Sequence, residues 1–579
     1  MNIAIFIMSQ NMKEETLEKP KFKKELGLRD LYFAALTGVI GSGWIYGSYY
    51  AASVVGPASI ISWIVGGIFI MIIALTWAEV SSRYPIAGAG GRYYKYSHGS
   101  LANAMSGFSA ILPAIATPAI ESIAIVGVVQ AALASTSYKV IFVNSLGLPT
   151  TSGFILAALI SLFFFYINYI GVRRVANVNS IVSYIKLPIL IILIISLIVA
   201  GLAAALGSNF SIPSFAPFGV LPIFTAIPAT GIVFAYLGFR QPIEMAGEAK
   251  NPTKDLPRAI ILLVLTVIGI YTLLEVSFIG GLKWNNAAAG TLGVFPGQWS
   301  HLTTSLSTSA FPLFFVSMGL GLFWLAALVA VGGVIGPSAD TNQYYASTAR
   351  ILFGMGREGY FGGKKSKMAQ VDRKHRVPVL GLLVTLAVTL VLLALGFAGY
   401  IVSSIGGFWV ALTAIITTTL VFAYTASSIT LPIFRKYYKE PIKNSFELKG
   451  YKIIAPTAFI ISSLLVYWGS GSLFTPADPY GGYILIVIML LGGLLYFWTE
   501  RQNVKEDIRA SVWMIVYLIS FLPLLYLGEY RINYIKAPYD WIVVIVLSII
   551  FYIWAQLSAL PPERVRKELG DAITNLREE

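Results

Sequence analysis

The chain has 579 residues, of which 57% are hydrophobic and only 12% charged, about half the charged share of an ordinary soluble domain. Those values exclude a disordered chain and a water-soluble enzyme. The formal net charge of +14 fits either a nucleic-acid footprint or the Lys and Arg that membrane proteins retain on their cytoplasmic side. Cysteine is absent, which excludes a disulfide scaffold, a thiolate metal site and a cysteine nucleophile. His98, His301 and His375 are too scattered in sequence to suggest a metal cluster.

Taken in chain order, Met1–Gln10 is apolar but too short to span a membrane, and no basic region precedes it as in a signal peptide. Met8 or Met12 is a candidate for the true start. Beyond it, hydropathy predicts about fourteen transmembrane helices, at 31–55, 58–82, 103–134, 153–171, 178–206, 221–247, 257–281, 308–349, 378–398, 402–434, 453–470, 481–499, 511–528 and 539–560. With the N-terminus inside, 35 of the 41 Lys and Arg fall in the tails and even-numbered connections. Only Lys139, Lys283, Arg531 and Lys536 fall on the other side, and Lys186 and Arg240 lie within spans. That asymmetry predicts N-in/C-in topology and assigns the net charge to the membrane rather than to nucleic acid. Most of the aromatic residues are expected at the lipid face or in interfacial belts, with Phe234, Tyr236, Phe239 and Trp44 excepted. No segment between spans has room for a soluble enzyme domain, and no GxxxxGK[ST] loop is present to power a pump.

Two spans contain helix breakers near mid-membrane. The first carries Gly38, Gly41, Ser42 and Gly43 ahead of Trp44. A close-packed small-residue face accounts for Gly38 but not for the Gly41-Ser42-Gly43 triplet. A broken helix exposes N–H groups that suit a carboxylate and carbonyls that suit an ammonium group. The sixth span carries Gly238 and Pro242 in the stretch Phe234-Ala235-Tyr236-Leu237-Gly238-Phe239-Arg240. Breaks in spans five apart point to an inverted-repeat transporter with a midplane site.

Charges inside spans are costly and mark candidates. Lys186 is either a lysine reaching the interface or a buried amine that gains and loses a proton. Glu121 is either a hydrogen-bonded structural acid or a proton or amine site. Arg240 and Glu244, and likewise Glu79 and Arg83, have the i,i+4 spacing of an ion pair. Gly88-Ala89-Gly90-Gly91 lacks the lysine and the strand of a phosphate loop and is expected to be a flexible turn.

These segments together resemble the amino acid–polyamine–organocation (APC) superfamily. The resemblance rests on Gly38–Gly43, on Ala78–Pro85 with the glycine turn, on Phe234–Phe239 with Gly247–Pro252 and Asp255–Arg258, and on Asn342 with Thr348–Gly359. It covers roughly residues 25–440. It implies an all-α LeuT-like fold, with repeats at 31–206 and 221–434, between a 1–30 tail and additional helices at 453–560, and a 561–579 tail. It implies a substrate carboxylate at the Ser42 and Gly43 amides beside Gly41. The ammonium would meet carbonyls of Val39, Phe234, Ala235 and Leu237, with Phe234 as an aromatic lid. Lys186 matches the lysine that replaces a sodium ion in proton-coupled members. Trp44, where the family has an aliphatic residue, and Arg240, where it has an acidic or neutral one, are departures. With Glu121, Tyr236 and Gly238 they are candidates for a site or gate.

The expected function is import of an amino acid or related amine with a proton across the plasma membrane of a prokaryote. The expected partners are substrate, proton and lipid, with no cofactor, no metal and no nucleic acid. Amino acid or amine exchange and a non-transporting sensor are the alternatives.

Overall fold

The computed structural model describes residues 22–134, 142–143, 149–284, 295–304, 311–363, 365–401, 408–438, 444–472, 481–499 and 503–575. Met1–Gln10, Met12 and Lys139 lie outside them. The described residues are almost entirely helical, and eleven helices are long and apolar enough to cross a membrane. Segments 221–247 and 481–499 contain no such helix, and segments 31–55 and 58–82 share one, Gly43–Arg83.

The first segment is split into α1 (Leu28–Thr37) and α2 (Gly43–Val55). Next come α3 (Ser59–Arg83), α4 (Tyr93–Ala134), α5 (Thr151–Tyr169) and α6 (Val172–Ala203). The α5–α6 connection is nearly absent because Gly171, at φ +121°, reverses the chain where a side chain would be strained. The sixth segment becomes three short helices, α7 (Leu221–Ala229), α8 (Ile232–Tyr236) and α9 (Gln241–Glu244). After α10 (Pro252–Gly281), segment 308–349 starts as α11 (Pro312–Gly319) and restarts as α12 (Phe323–Arg357), with Gly321 at φ +77° between them. α13 (Val379–Ile401), α14 (Phe408–Tyr437) and α15 (Tyr451–Ser472) follow. Segment 481–499 is α16 (Gly481–Leu491) and then a 3-10 turn at Gly492–Trp498. There Gly492 packs its backbone on Phe108 of α4. α17 (Val504–Leu527) and α18 (Tyr539–Leu557) complete the bundle.

The most extensive packing is between α4 and α12 and between α3 and α10. Aromatic residues correct one expectation. Trp63, Trp77, Trp299, Trp468 and Trp513 are among the largest fully buried side chains, so much aromatic surface fills the core rather than facing lipid. Their area makes them strong core formers once an N–H or O–H finds a partner, as Trp63 does on Glu275 and Trp77 on the Tyr424 carbonyl.

The two tails also differ from simple extensions. Phe22 and Leu26 are buried, and Leu26 bridges to Ala249. Residues 562–575 form α19, whose Val565 and Leu569 join the main core while Arg564 reaches Glu506 and Asp507 at 2.9 and 2.7 Å.

Candidate transport site at the two helix breaks

Between α1 and α2, residues Gly38–Ser42 leave the helical path. Between α8 and α9, Leu237 is extended and Gly238 has φ +100°. The two breaks cross in contact. A Cβ on Gly238 would collide with the Gly38 carbonyl oxygen, and one on Gly43 would lie 2.8 Å from the Ala235 Cα. Only glycine permits this approach of two backbones. Gly41 plays the same part toward α12, where a Cβ would collide with the Asp340 carboxylate.

A broken helix leaves carbonyls without intrahelical partners; Lys186 meets one of these, on Ile40, and also the Leu36 carbonyl, which accepts the Ile40 N–H at 3.0 Å as well. Its Nζ donates to Leu36 O and Ile40 O at 3.1 Å each, and the residue is 2% exposed. It therefore does not extend to an interface. Tyr271 donates to the Val39 carbonyl at 3.0 Å. On the amide side, Ser42 donates to Glu121 through both N–H (2.9 Å) and Oγ (2.7 Å). Glu121 thus occupies an amide expected to meet a substrate carboxylate. Those two donors explain how a buried acid in α4 is tolerated.

Asp340, on α12, stands beside both Glu121 and Lys186, and its Oδ1 has no hydrogen-bond partner. Sequence inspection passed over this residue. The signal was available: Asp340 is an acid inside segment 308–349, the criterion that singled out Glu121. Glu275, which accepts from Ser59 and from Trp63 Nε1 (2.9 Å), was missed in the same way.

The remaining candidates separate. Val39, Gly41, Ser42, Gly43, Ala235, Leu237 and Gly238 gather at the crossing, together with Phe234, which is half-buried against Ala116, Ile120 and Leu412. Leu237 N–H donates to Phe234 O at 3.2 Å, so that carbonyl has a partner. Trp44 packs over Gly332 and Gly336 of α12. Tyr236 turns away from the crossing and donates to Trp63 O of α3 at 3.0 Å. Arg240 lies farther along, paired with Glu244 at 3.0 Å as its spacing predicted, over the rings of Trp77 and Tyr424.

One end of the bundle is closed by buried ion pairs. Glu79 pairs with Arg83 at 2.7 Å as expected, and accepts hydrogen bonds from Arg435 Nε and Nη2 at 2.6 Å each. Glu248 takes Arg350, and Glu358 takes Arg92 and Lys95. For Glu358, burial alone would raise the carboxyl, but the Lys95 and Arg92 charges overcome it and hold it at about 2. The Gly88–Gly91 turn, with Gly88 at φ +65°, docks here and donates Gly90 N–H to Glu244 at 3.1 Å.

Residues 26–478 match the amino acid permease family. The chain belongs to that family. The permease is 30% identical over 562 residues to the glutamate/serine transporter AimA of Bacillus subtilis, covering 95% of this chain and 97% of the relative. It is also 30% identical over 542 residues to the aspartate-proton symporter of the same organism, covering 93% and 97%. Similarity to the B. subtilis branched-chain amino acid permease BcaP is 24% over 515 residues, covering 86% and 97%. The expected membership of the APC superfamily holds, and the permease is a multi-pass membrane transporter of amino acids.

Proposed function

We propose that this permease imports its amino acid together with a proton, by alternating access in a LeuT-like fold. Repeats at 31–206 and 221–434 carry the site, with the helices of 453–560 packed beside them. Three features support the repeat. The breaks are five segments apart, and the closest-packed pairs, α3 with α10 and α4 with α12, are also five apart. The 35-to-4 asymmetry of basic residues supports fourteen spans with both termini inside, which has the ion-paired end facing the cytoplasm in this reading.

Substrate binds at the crossing. Its ammonium meets carbonyls of Val39, Phe234, Ala235 and Leu237, and its carboxylate meets the Ser42 and Gly43 amides beside Gly41 once Glu121 withdraws. Phe234 closes over it. No cofactor takes part; the driving force is the proton gradient, and the membrane lipids supply the setting.

The observation that carries the proton claim is Lys186 Nζ on Leu36 O and Ile40 O. A charged amine ties α6 to the first break, and a neutral one weakens that tie, so the proton has different affinity in the two states. An aspartate-proton symporter among the relatives supports the same coupling. The test is uptake by purified protein in liposomes. An inward proton gradient should drive accumulation, and Lys186→Ala should abolish it. Uptake indifferent to the gradient would sink the coupling, and full retention by Lys186→Ala would remove Lys186 from it.

A further inference from the structure

Arg240 is a buried guanidinium in the second break. It is 4% exposed and is held from three sides: Glu244 takes Nε, and the faces of Trp77 and Tyr424 lie 5.0 and 5.4 Å from its centre. Gly90 packs its backbone directly on the same group. The head is therefore rigid, yet Nη1 has no hydrogen-bond partner. Arg240 lines a small cavity with Gly238, Gln241, Tyr344, Ser347 and Tyr424, and Gln241 Oε1 is also unpartnered. With a volume of about 10 Å³, the cavity has room for about one water.

An unsatisfied guanidinium nitrogen in a buried cavity is expensive unless something fills it during the working cycle. Arginine has five donors, so Nη1 can take a second carboxylate while Nε keeps Glu244. Gly238, at the crossing of the breaks, lines the same cavity, so a side chain extending from substrate held there leads toward Arg240. Lys186, which reaches the first break, is committed to two main-chain carbonyls.

We propose that Arg240 is a specificity-determining residue that receives the side-chain carboxylate of an acidic amino acid as the cavity opens. This rests on the proposed transport function and adds the substrate class and the residue that selects it. An acidic substrate would otherwise bring an unpaired charge to a buried site already holding Glu121 and Asp340.

The experiment compares uptake of L-aspartate and L-glutamate with their neutral isosteres L-asparagine and L-glutamine by the full chain in liposomes. The wild type should prefer the acids by about 10- to 100-fold, the size of one charge-assisted hydrogen bond. Arg240→Gln combined with Glu244→Gln, which leaves no buried acid unpaired, should erase that preference while neutral uptake continues. Arg240→Lys keeps a charge but loses the fork, and should retain uptake with a reduced preference. Wild-type protein that takes the neutral isosteres equally well, or variants that keep the full acid preference, would overturn the proposal. Wild-type protein that transports no amino acid would overturn the transport function itself.

Discussion

Gly38 and Gly238 meet backbone to backbone, the carbonyl of one occupying the space a Cβ on the other would need. That contact joins the two helix breaks, so its geometry fixes how the main-chain groups of both face each other. Gly238→Ala would meet a collision and a left-handed φ of +100° together. Gly231 has φ +86° with nothing within 4 Å of a Cβ, so Gly231→Ala meets the backbone strain alone. Strain costs about 1–3 kcal/mol and overpacking about as much again. Thermal unfolding in detergent should show Gly238→Ala losing roughly twice the stability that Gly231→Ala loses. Equal losses would mean the breaks are not packed as described.

Glu121 holds both donors of Ser42. Glu121→Ala should therefore cost about 1–3 kcal/mol through unsatisfied buried groups, while Glu121→Gln, which keeps an acceptor, should cost less. If substrate carboxylate competes for the same amide, Glu121→Ala should bind substrate as tightly as wild type or more tightly. A tenfold weaker affinity, read by thermal shift against substrate concentration, would show instead that Glu121 holds the substrate.

The buried Arg350–Glu248 pair should follow the rule for desolvated ion pairs. Removing one partner, by Arg350→Met or Glu248→Gln, should destabilise by about 3–5 kcal/mol, and the double variant by less than the sum. A double-mutant cycle on unfolding midpoints measures this; strict additivity would mean the pair has no coupling.

Glu358 sets an acid limit. Its carboxyl is held at about 2 in the folded protein, below the ordinary glutamate value of about 4.3. A depressed folded value gives stability that is present above about pH 4.3 and is lost as pH falls through about 2. Glu358→Gln should remove that part of the acid dependence, so the wild-type and variant unfolding curves should converge toward pH 2. A gap that stays constant from pH 5 to pH 2 would contradict the assignment.

Much of the molecule was legible in the chain. Apolar blocks of membrane length, separated by basic loops, gave the helical membrane class, because a bilayer demands that length and that charge asymmetry. The Gly41-Ser42-Gly43 triplet and Gly238 marked both breaks, because glycine weakens any helix interior regardless of its neighbours. The Arg240–Glu244 and Glu79–Arg83 pairs followed from helical spacing alone.

The site's chemistry was less legible, because it joins residues hundreds of positions apart. Lys186 had two readings until its Nζ was seen on the carbonyls of α1 and the first break. Glu121 was ambiguous until Ser42 was found across from it, and Asp340 went unnoticed beside both. Arg435 completes the Glu79 pair from 356 residues away, beyond any local pattern. The buried tryptophans were misjudged because an aromatic side chain suits lipid interface and packed core equally, and neighbouring helices decide between them. Local rules determined the helical, apolar character of the segments and where two of them break, since those depend on the backbone and the solvent around it. Only the tertiary structure decided which buried charges meet, since desolvated groups are stable only beside partners that folding brings to them.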